Sequence, residues 1–426
     1  MKYLLTLIST LLLFASCSKE EEKNSSIAQR TVVVYMSGEN NLTSIAQDDI
    51  DEMIAGANSL ADGQQLVIFV DRASTTEKPF LARLDKNATA TKIDTLYRFQ
   101  VDFYASSADE FYNVLKKATT LCPAKEYGLV LWGHASGWVI EQDSIPTNVG
   151  RRAYGVDNGS NSSSVSGKWM NIPSMRMALE ALGIKWQFIF ADCCNMMCAE
   201  VGYELRNVTQ YLIGSSAEIP GWGAPYDSVV PELFRSGSAL YKGIIDKYYD
   251  YYLDYFSTHP TISVSGVGTE ELGGYSVPLA VIETKNMEAL AQSTKDIVTY
   301  IANENPTEYP EALNLNHLPY YLNIDAPMMY DMKAFVKHFA SISAYSTWLD
   351  SYQKAVPYAR SSAKWMTIFP NLYPAFAAFD QNADWGCVSM FVPQNQPAYV
   401  GGNYKYNQNA THFLWSYIID WSRFGW

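Results

Sequence analysis

The chain carries little charge and little cysteine. Charged residues make up 18% of its 426 positions, and 31 Lys and Arg face 44 Asp and Glu, for a formal net charge of −13. A shortage of basic residues argues against a nucleic-acid partner, because a phosphate backbone calls for a basic face. It argues equally against attachment to anionic lipid by charge alone. Repeats are absent from the sequence, and so is any pair of Cys-x-x-Cys motifs or an EF-hand loop, which speaks against a structural zinc site or a calcium loop of that type. Low complexity is confined to "GVDNGSNSSSVSGK" at 155–168, a Gly, Ser and Asn segment that predicts an exposed loop.

Long apolar runs are also missing, with one exception at the start. "MKYLLTLISTLLLFASC" has a single Lys and an apolar stretch from Tyr3 to Phe14, too short to span a bilayer. It reads as a signal peptide over residues 1–16. The Ala-Ser-Cys ending resembles a bacterial lipobox, which implies lipidation of Cys17. Residues 17–29 then form a polar tether, about 4 nm long if extended. Its acidic "SKEEEK" resembles the surface-export signal of Bacteroidetes lipoproteins. The expected location is the cell envelope, at the outer membrane and facing outward, with the membrane reached through Cys17.

What the chain has in quantity is aromatic and aliphatic residues, enough for a large packed core. "TVVVYMSG" (31–38), "QQLVIFVDRAS" (64–74), "YGLVLWGHASGW" (127–138), "KWQFIFADCC" (185–194) and "TQYLIGSSAEIPGWG" (209–223) begin as apolar, β-branched runs typical of strands buried on both faces. Helical spacing separates them, as in "IPSMRMALEALG" (172–183), which has Pro near its first turn and Gly at its end. Buried strands joined by helices predict an α/β fold, a mostly parallel sheet with helices on both faces. Residues 30–240 form this expected domain. Residues 241–426 form a C-terminal α+β extension that completes it or packs on it. There, "KGIIDKYYDYYLDYF" (242–256) has a tyrosine stripe suited to core packing, "YSVPLAVIET" (275–284) and "DWGCVSMFVPQ" (384–394) read as strands, and "THFLWSYIIDWSRF" (411–424) as a closing helix.

In parallel sheets, ligands bind beyond the carboxyl ends of the strands. Two chemically capable residues fall there. His134 is one of five histidines, and alone among them it follows a buried strand in a glycine-flanked loop. Cys194 ends the next such strand, beside Cys193 and near Cys198. With Cys17 set aside, five cysteines remain, an odd number that leaves a thiol over when the others pair. A thiolate beside a proton donor is the minimum for hydrolysing an amide through a covalent intermediate.

These residues resemble a known family. "LVLWGHASGW" and "ADCCNMMCAEVGYEL" look like the two signatures of clostripain-type cysteine peptidases, and "VVVYMSGENNL" and "DWGCVSMFVP" look like the family's flanking strands. The resemblance implies a caspase-hemoglobinase-like fold and a Cys-His dyad with His134 and Cys194. It implies an oxyanion site at the backbone N–H groups of Ala135 and Cys194, and substrate contacts by Asp192, Ser215 and Trp222. Asp192, Met196 and Glu200 stand in register with it. Ala135 stands in place of a Gly, Asn195 and Met197 in place of Leu and Gly, and Trp222 in place of the Asp that pairs with a basic P1 side chain. The expected enzyme is therefore a lipoprotein endopeptidase acting on peptides or proteins, with a P1 preference other than Arg. Some members of the family use calcium; the expectation here is no metal and no cofactor. An inactive caspase-fold surface lipoprotein serving as a binding module is the alternative.

Overall fold

A computed structural model describes residues 27–86, 88–89, 93–140, 153–159, 167–264, 268–304, 313–323, 326–366, 385–401, 405–419 and 421. The leader and Cys17 lie outside the described residues. In chain order the first half comprises β1 (Ala28–Gly38), α1 (Ala46–Ala57), β2 (Gln64–Arg72), β3 (Phe80–Leu84), β4 (Asp94–Arg98), α2 (Ala108–Leu121), β5 (Ala124–Trp132), β6 (Tyr154–Asp157), β7 (Lys168–Met170), α3 (Ile172–Leu182), β8 (Trp186–Asp192), α4 (Ala199–Glu204), β9 (Thr209–Ser215), α5 (Tyr226–Val229) and α6 (Ser238–Thr258). The second half adds β10 (Thr261–Val264), β11 (Gly268–Glu271), β12 (Leu279–Glu283), α7 (Met287–Glu304), β13 (Tyr320–Asn323), β14 (Pro327–Asp331), α8 (Met332–Phe339), α9 (Ile342–Ala355), β15 (Tyr358–Arg360), β16 (Ser389–Met390) and three short helices ending with Leu414–Ile418.

Nine strands make the central sheet, in the order β15-β12-β9-β8-β5-β1-β2-β3-β4. The five in the middle pair in parallel. Both flanks are antiparallel, through β3 and β4 on one side and β12 and β15 on the other. Period-2 alternation divides the core. Val32, Val34 and Met36 of β1 face a layer with Ile50 and Met53 of α1 and Ile244 and Tyr248 of α6. Val33 and Tyr35 face the opposite layer, with Phe111 and Leu115 of α2, Met175 of α3 and Leu290 of α7. Fully burying one aliphatic side chain of this size contributes about 1.5–3 kcal/mol, so these runs fix the strand register.

The chain beyond residue 240 shares this sheet, because β12 hydrogen-bonds to β9 and β15 to β12. On α6, Tyr248 and Tyr252 are buried, as a core stripe requires. Asp246 and Asp250 on the other stripe meet Arg360 of β15 at 3.1 and 2.7 Å. Of the helix expected over 411–424, the described residues form the α-helix Leu414–Ile418, with 411–413 and 419 outside it. The expected strand over 384–394 is reduced to β16, which pairs with β14 outside the main sheet.

Candidate active site

β5 and β8 are neighbours, and their last paired positions are Trp132 and Asp192. His134 and Cys194 each stand two residues beyond that pair, so both leave the sheet from the same edge. The turns that carry them also touch. A Cβ built on Gly137 would lie 2.4 Å from the carbonyl oxygen of Asn195, and Gly137 has φ +58°. Only glycine allows that approach.

Ala135 has ordinary backbone geometry; the left-handed conformations in this loop belong to Gly133 and Gly137. The Ala in the family's Gly position therefore carries no backbone strain. It bridges to Tyr154, with hydrogen bonds on either side of the pair, from Gly155 N to His134 O (2.7 Å) and from Ser136 N to Ala153 O (2.9 Å). The Ala135 N–H is thereby turned away from that neighbour.

Among the described cysteines, Cys194 alone is not buried. Burial pushes the Cys193 and Cys198 thiols well above their ordinary range, with Cys194 and Asp192 adding to the effect on Cys193 and Glu200 to that on Cys198. Both side chains pack in the core layer that also holds Ala199 and Val201. Cys194 Sγ accepts a hydrogen bond from the Ile219 N–H at 3.5 Å. The turn holding it is zipped to the chain after β9, where Asn195 N donates to Ala217 O (3.0 Å) and Met197 N to Ser215 O (2.9 Å). Asn195 itself is left-handed, with φ 59°, and its Nδ2 donates to Ser216 O at 2.9 Å.

His134 is half-buried, and its Nε2 donates to Asn41 Oδ1 at 2.6 Å. The Trp169 ring lies 6.2 Å from the imidazole. Asn41 was not identifiable from sequence as a partner, since it lies in an exposed turn after β1, far from His134 along the chain. With Asn41 Oδ1 as the acceptor, Nε2 is the donor of this contact, which holds the ring in place.

The remaining candidates occupy different depths. Asp192 is 2% exposed and saturated, since its Oδ2 accepts from Ala224 N (3.0 Å) and Tyr226 OH (2.7 Å), and its Oδ1 from Tyr248 OH (3.0 Å). Burial raises its carboxyl, against the lowering effect of those three donors. Asp49 of α1 lies close by and accepts from Trp132 Nε1 at 2.5 Å. Its carboxyl is pushed up to about 9, first by burial and then by Asp192. Ser215 is fully buried, and its Oγ accepts from Ala217 N, so its side chain shapes the turn. Trp222 is 49% exposed and packs on Tyr255 of α6, 5.7 Å between ring centres.

A half-exposed thiol, an oriented imidazole and backbone donors on one sheet edge match the needs of acyl transfer to cysteine. The sequence model of the clostripain family, Peptidase_C11, matches residues 34–426. This chain belongs to the clostripain family. Among solved structures, the clostripain-family chain is similar to a secreted C11 cysteine protease from Bacteroides thetaiotaomicron in complex with an irreversible peptide inhibitor. The identity is 26%, with 93% of this chain and 99% of that one covered and a TM-score of 0.71. It shares its fold with an inactive zymogen C11 protease from Parabacteroides distasonis, at 22% identity, 92% and 99% coverage and a TM-score of 0.70. The same holds for a solved structure of a secreted C11 cysteine protease from Bacteroides thetaiotaomicron described as "iotapain", at 20% identity, 92% and 99% coverage and a TM-score of 0.69. No curated protein matches the chain. It is a cysteine-type peptidase with a caspase-like α/β fold, and its substrates are peptides or proteins.

Proposed function

We propose that the chain is an exported, lipid-anchored endopeptidase that works through a Cys194–His134 dyad. The observation that carries this reading is the pairing of the one non-buried thiol among the described residues with an imidazole anchored by Asn41 on the same sheet edge. In the forward step the Cys194 thiol gives its proton to His134 Nδ1, and Sγ attacks the peptide carbonyl carbon. The backbone N–H groups of Ala135 and Cys194 hold the oxyanion. The C–N bond then breaks as His134 returns the proton to the leaving amine, which leaves a thioester. Water adds to the thioester, His134 takes its proton, and the C–S bond breaks to release the acid and restore the thiol.

The P1 preference follows from the same region. A basic side chain in a desolvated pocket needs an unsatisfied acidic partner. Asp192 already receives three donors, and Trp222 stands where an Asp would. Both support a preference for apolar or small P1 side chains over Arg.

A peptide acyloxymethylketone tests the dyad: the expected adduct maps by mass to Cys194 and disappears in Cys194→Ala and His134→Ala. An adduct on Cys193 would reject the assignment. The location rests on the lipobox-like residues at 15–17 and the acidic tether, and among the described residues no helix is long and apolar enough to cross a membrane. A palmitate analogue is expected to label the protein and to fail on Cys17→Ala, and protease added to intact cells is expected to remove it. A Cys17→Ala protein that still incorporates the label would exclude Cys17 as the anchor.

A further inference from the structure

The solvent side of α6 carries a row of rings that the core does not use. Tyr251 and Tyr255 stand one turn apart and stack at 6.4 Å between ring centres, and His259, one turn further on, stacks on Tyr255 at 4.5 Å. Trp222, from the loop after β9, joins the row at Tyr255. His259 covers one face of Tyr255, so the rings left open to a partner are those of Trp222 and Tyr251, which is 41% exposed. Large rings grouped in water mark a surface that something covers.

The row lies at the edge of the sheet that carries Cys194. Tyr248, on the same helix, donates to Asp192 at the end of β8, and Tyr252 OH donates to Gly223 O, next to Trp222, at 2.8 Å. The Ile219 N–H that reaches Cys194 Sγ is three residues from Trp222. Three residues span at most about 11 Å, so Trp222 begins the row within about 16 Å of the thiol, a distance that about five extended substrate residues cover. The rim is acidic. Glu52 of α1 accepts from Tyr226 N at 2.9 Å, and Asp227 is exposed beside it. Burial raises the Tyr251 phenol, and Glu52, Tyr255, Asp227 and Asp49 add to the effect. Arg360 is taken up by Asp246 and Asp250. Lys247 precedes Tyr255 by two turns, about 12 Å along the axis, at the end of the row away from Trp222.

We propose that Trp222, Tyr255 and Tyr251, rimmed by Glu52 and Asp227, form a substrate subsite for an arginine side chain several residues away from the scissile bond. A guanidinium is planar and weakly hydrated, so it stacks on aromatic faces while its N–H groups reach carboxylates at the rim. An apolar side chain would cover the rings and leave Glu52 and Asp227 facing it without a counter-charge. The subsite differs from the P1 position, where Asp192 is already saturated by three donors. Its distance from the scissile bond rests on the reading of Cys194 as nucleophile; its affinity for the side chain does not.

The test uses the full mature chain and a set of fluorescent peptides with alanine at P1, in which each other position in turn carries arginine, norleucine or glutamate. At one position within about five residues of the bond cut, arginine is expected to raise kcat/KM about fivefold over norleucine, with glutamate below both. Tyr251→Ala and Asp227→Asn should each shrink that gain about threefold and leave cleavage of the norleucine peptide unchanged, while Tyr251→Phe keeps the gain. High salt should shrink it as well, because the rim is exposed. The same arginine-over-norleucine ratio is expected in the Kd of the uncleaved peptides on Cys194→Ala, read by fluorescence anisotropy. No position that favours arginine would overturn the subsite, and so would a gain that survives both Tyr251→Ala and Asp227→Asn. Tyr251-dependent preference for arginine in binding, with no peptide cut by the parent chain, would overturn the dyad and leave the subsite standing.

Discussion

Asn195 sits directly after the candidate nucleophile in a left-handed conformation that costs most side chains about 1–2 kcal/mol. Asn tolerates it, and here the side chain also bonds Ser216 O. In the sequence Asn195 is marked only as standing in place of Leu; in the structure its effect is on the backbone that aims the thiol. Asn195→Gly is expected to keep most of the alkylation rate, while Asn195→Val loses about 1–2 kcal/mol of stability, read as a lower urea midpoint. Equal midpoints for the two would sink this account. Asn41 tells the opposite story about legibility. His134 and Cys194 could be found because each follows a buried strand, a local pattern. Asn41 reaches the imidazole only through the fold, from an exposed turn with no pattern of its own. On the proposed mechanism, Asn41→Ala slows Cys194 alkylation about tenfold, equivalent to 1.4 kcal/mol of lost orientation. Asn41→Asp keeps an acceptor and should recover most of that loss. If Asn41→Ala reacts at the parent rate, His134 needs no such partner.

At the scale of elements, the central strands and the helices between them were legible because long apolar runs have one stable use in a sheet covered on both faces. The edges were not. β4, "DTLYR", is largely exposed and alternates weakly, and β15 is three residues long. Neither buries enough apolar surface to mark itself in sequence, and each is a strand because a neighbour offers an open edge. The loop after β9 is the element that decides specificity on the proposed reading. It passes over Cys194 through the Ile219 N–H and presents Trp222 at the surface, against Tyr255. A fluorogenic series differing only at P1 should show Arg and Lys as poor substrates. Trp222→Asp should raise cleavage after Arg tenfold or more, because it supplies the unsatisfied carboxylate that Asp192 cannot. Efficient cleavage after Arg by the unaltered enzyme, unmoved by Trp222→Asp, would restore a basic P1 pocket built from other residues.

The whole molecule combines a net charge of −13 with acids buried beneath the site, and the two act in the same direction as pH rises. Asp49 is raised from 3.8 to about 9, chiefly by burial, and burial raises Asp192 as well. A carboxyl whose folded pKa lies above its unfolded one binds its proton more tightly in the folded state. Its stabilising contribution is complete below pH about 4 and is lost progressively as pH climbs toward about 9. Self-repulsion of the acidic surface grows over the same interval. Urea midpoints measured at pH 5, 7 and 9 should therefore fall with pH. Asn at position 49 can still accept from Trp132 Nε1 but no longer titrates. Asp49→Asn should accordingly lose less stability than the parent between pH 5 and 9, and the two curves should separate most at the alkaline end. Parallel curves would mean that Asp49 ionises in the folded protein as freely as in the unfolded chain, with water reaching the space between α1 and Asp192. In that event a carboxylate would be available near the P1 pocket after all, and the Arg series would be the next measurement to repeat on Asp49→Asn.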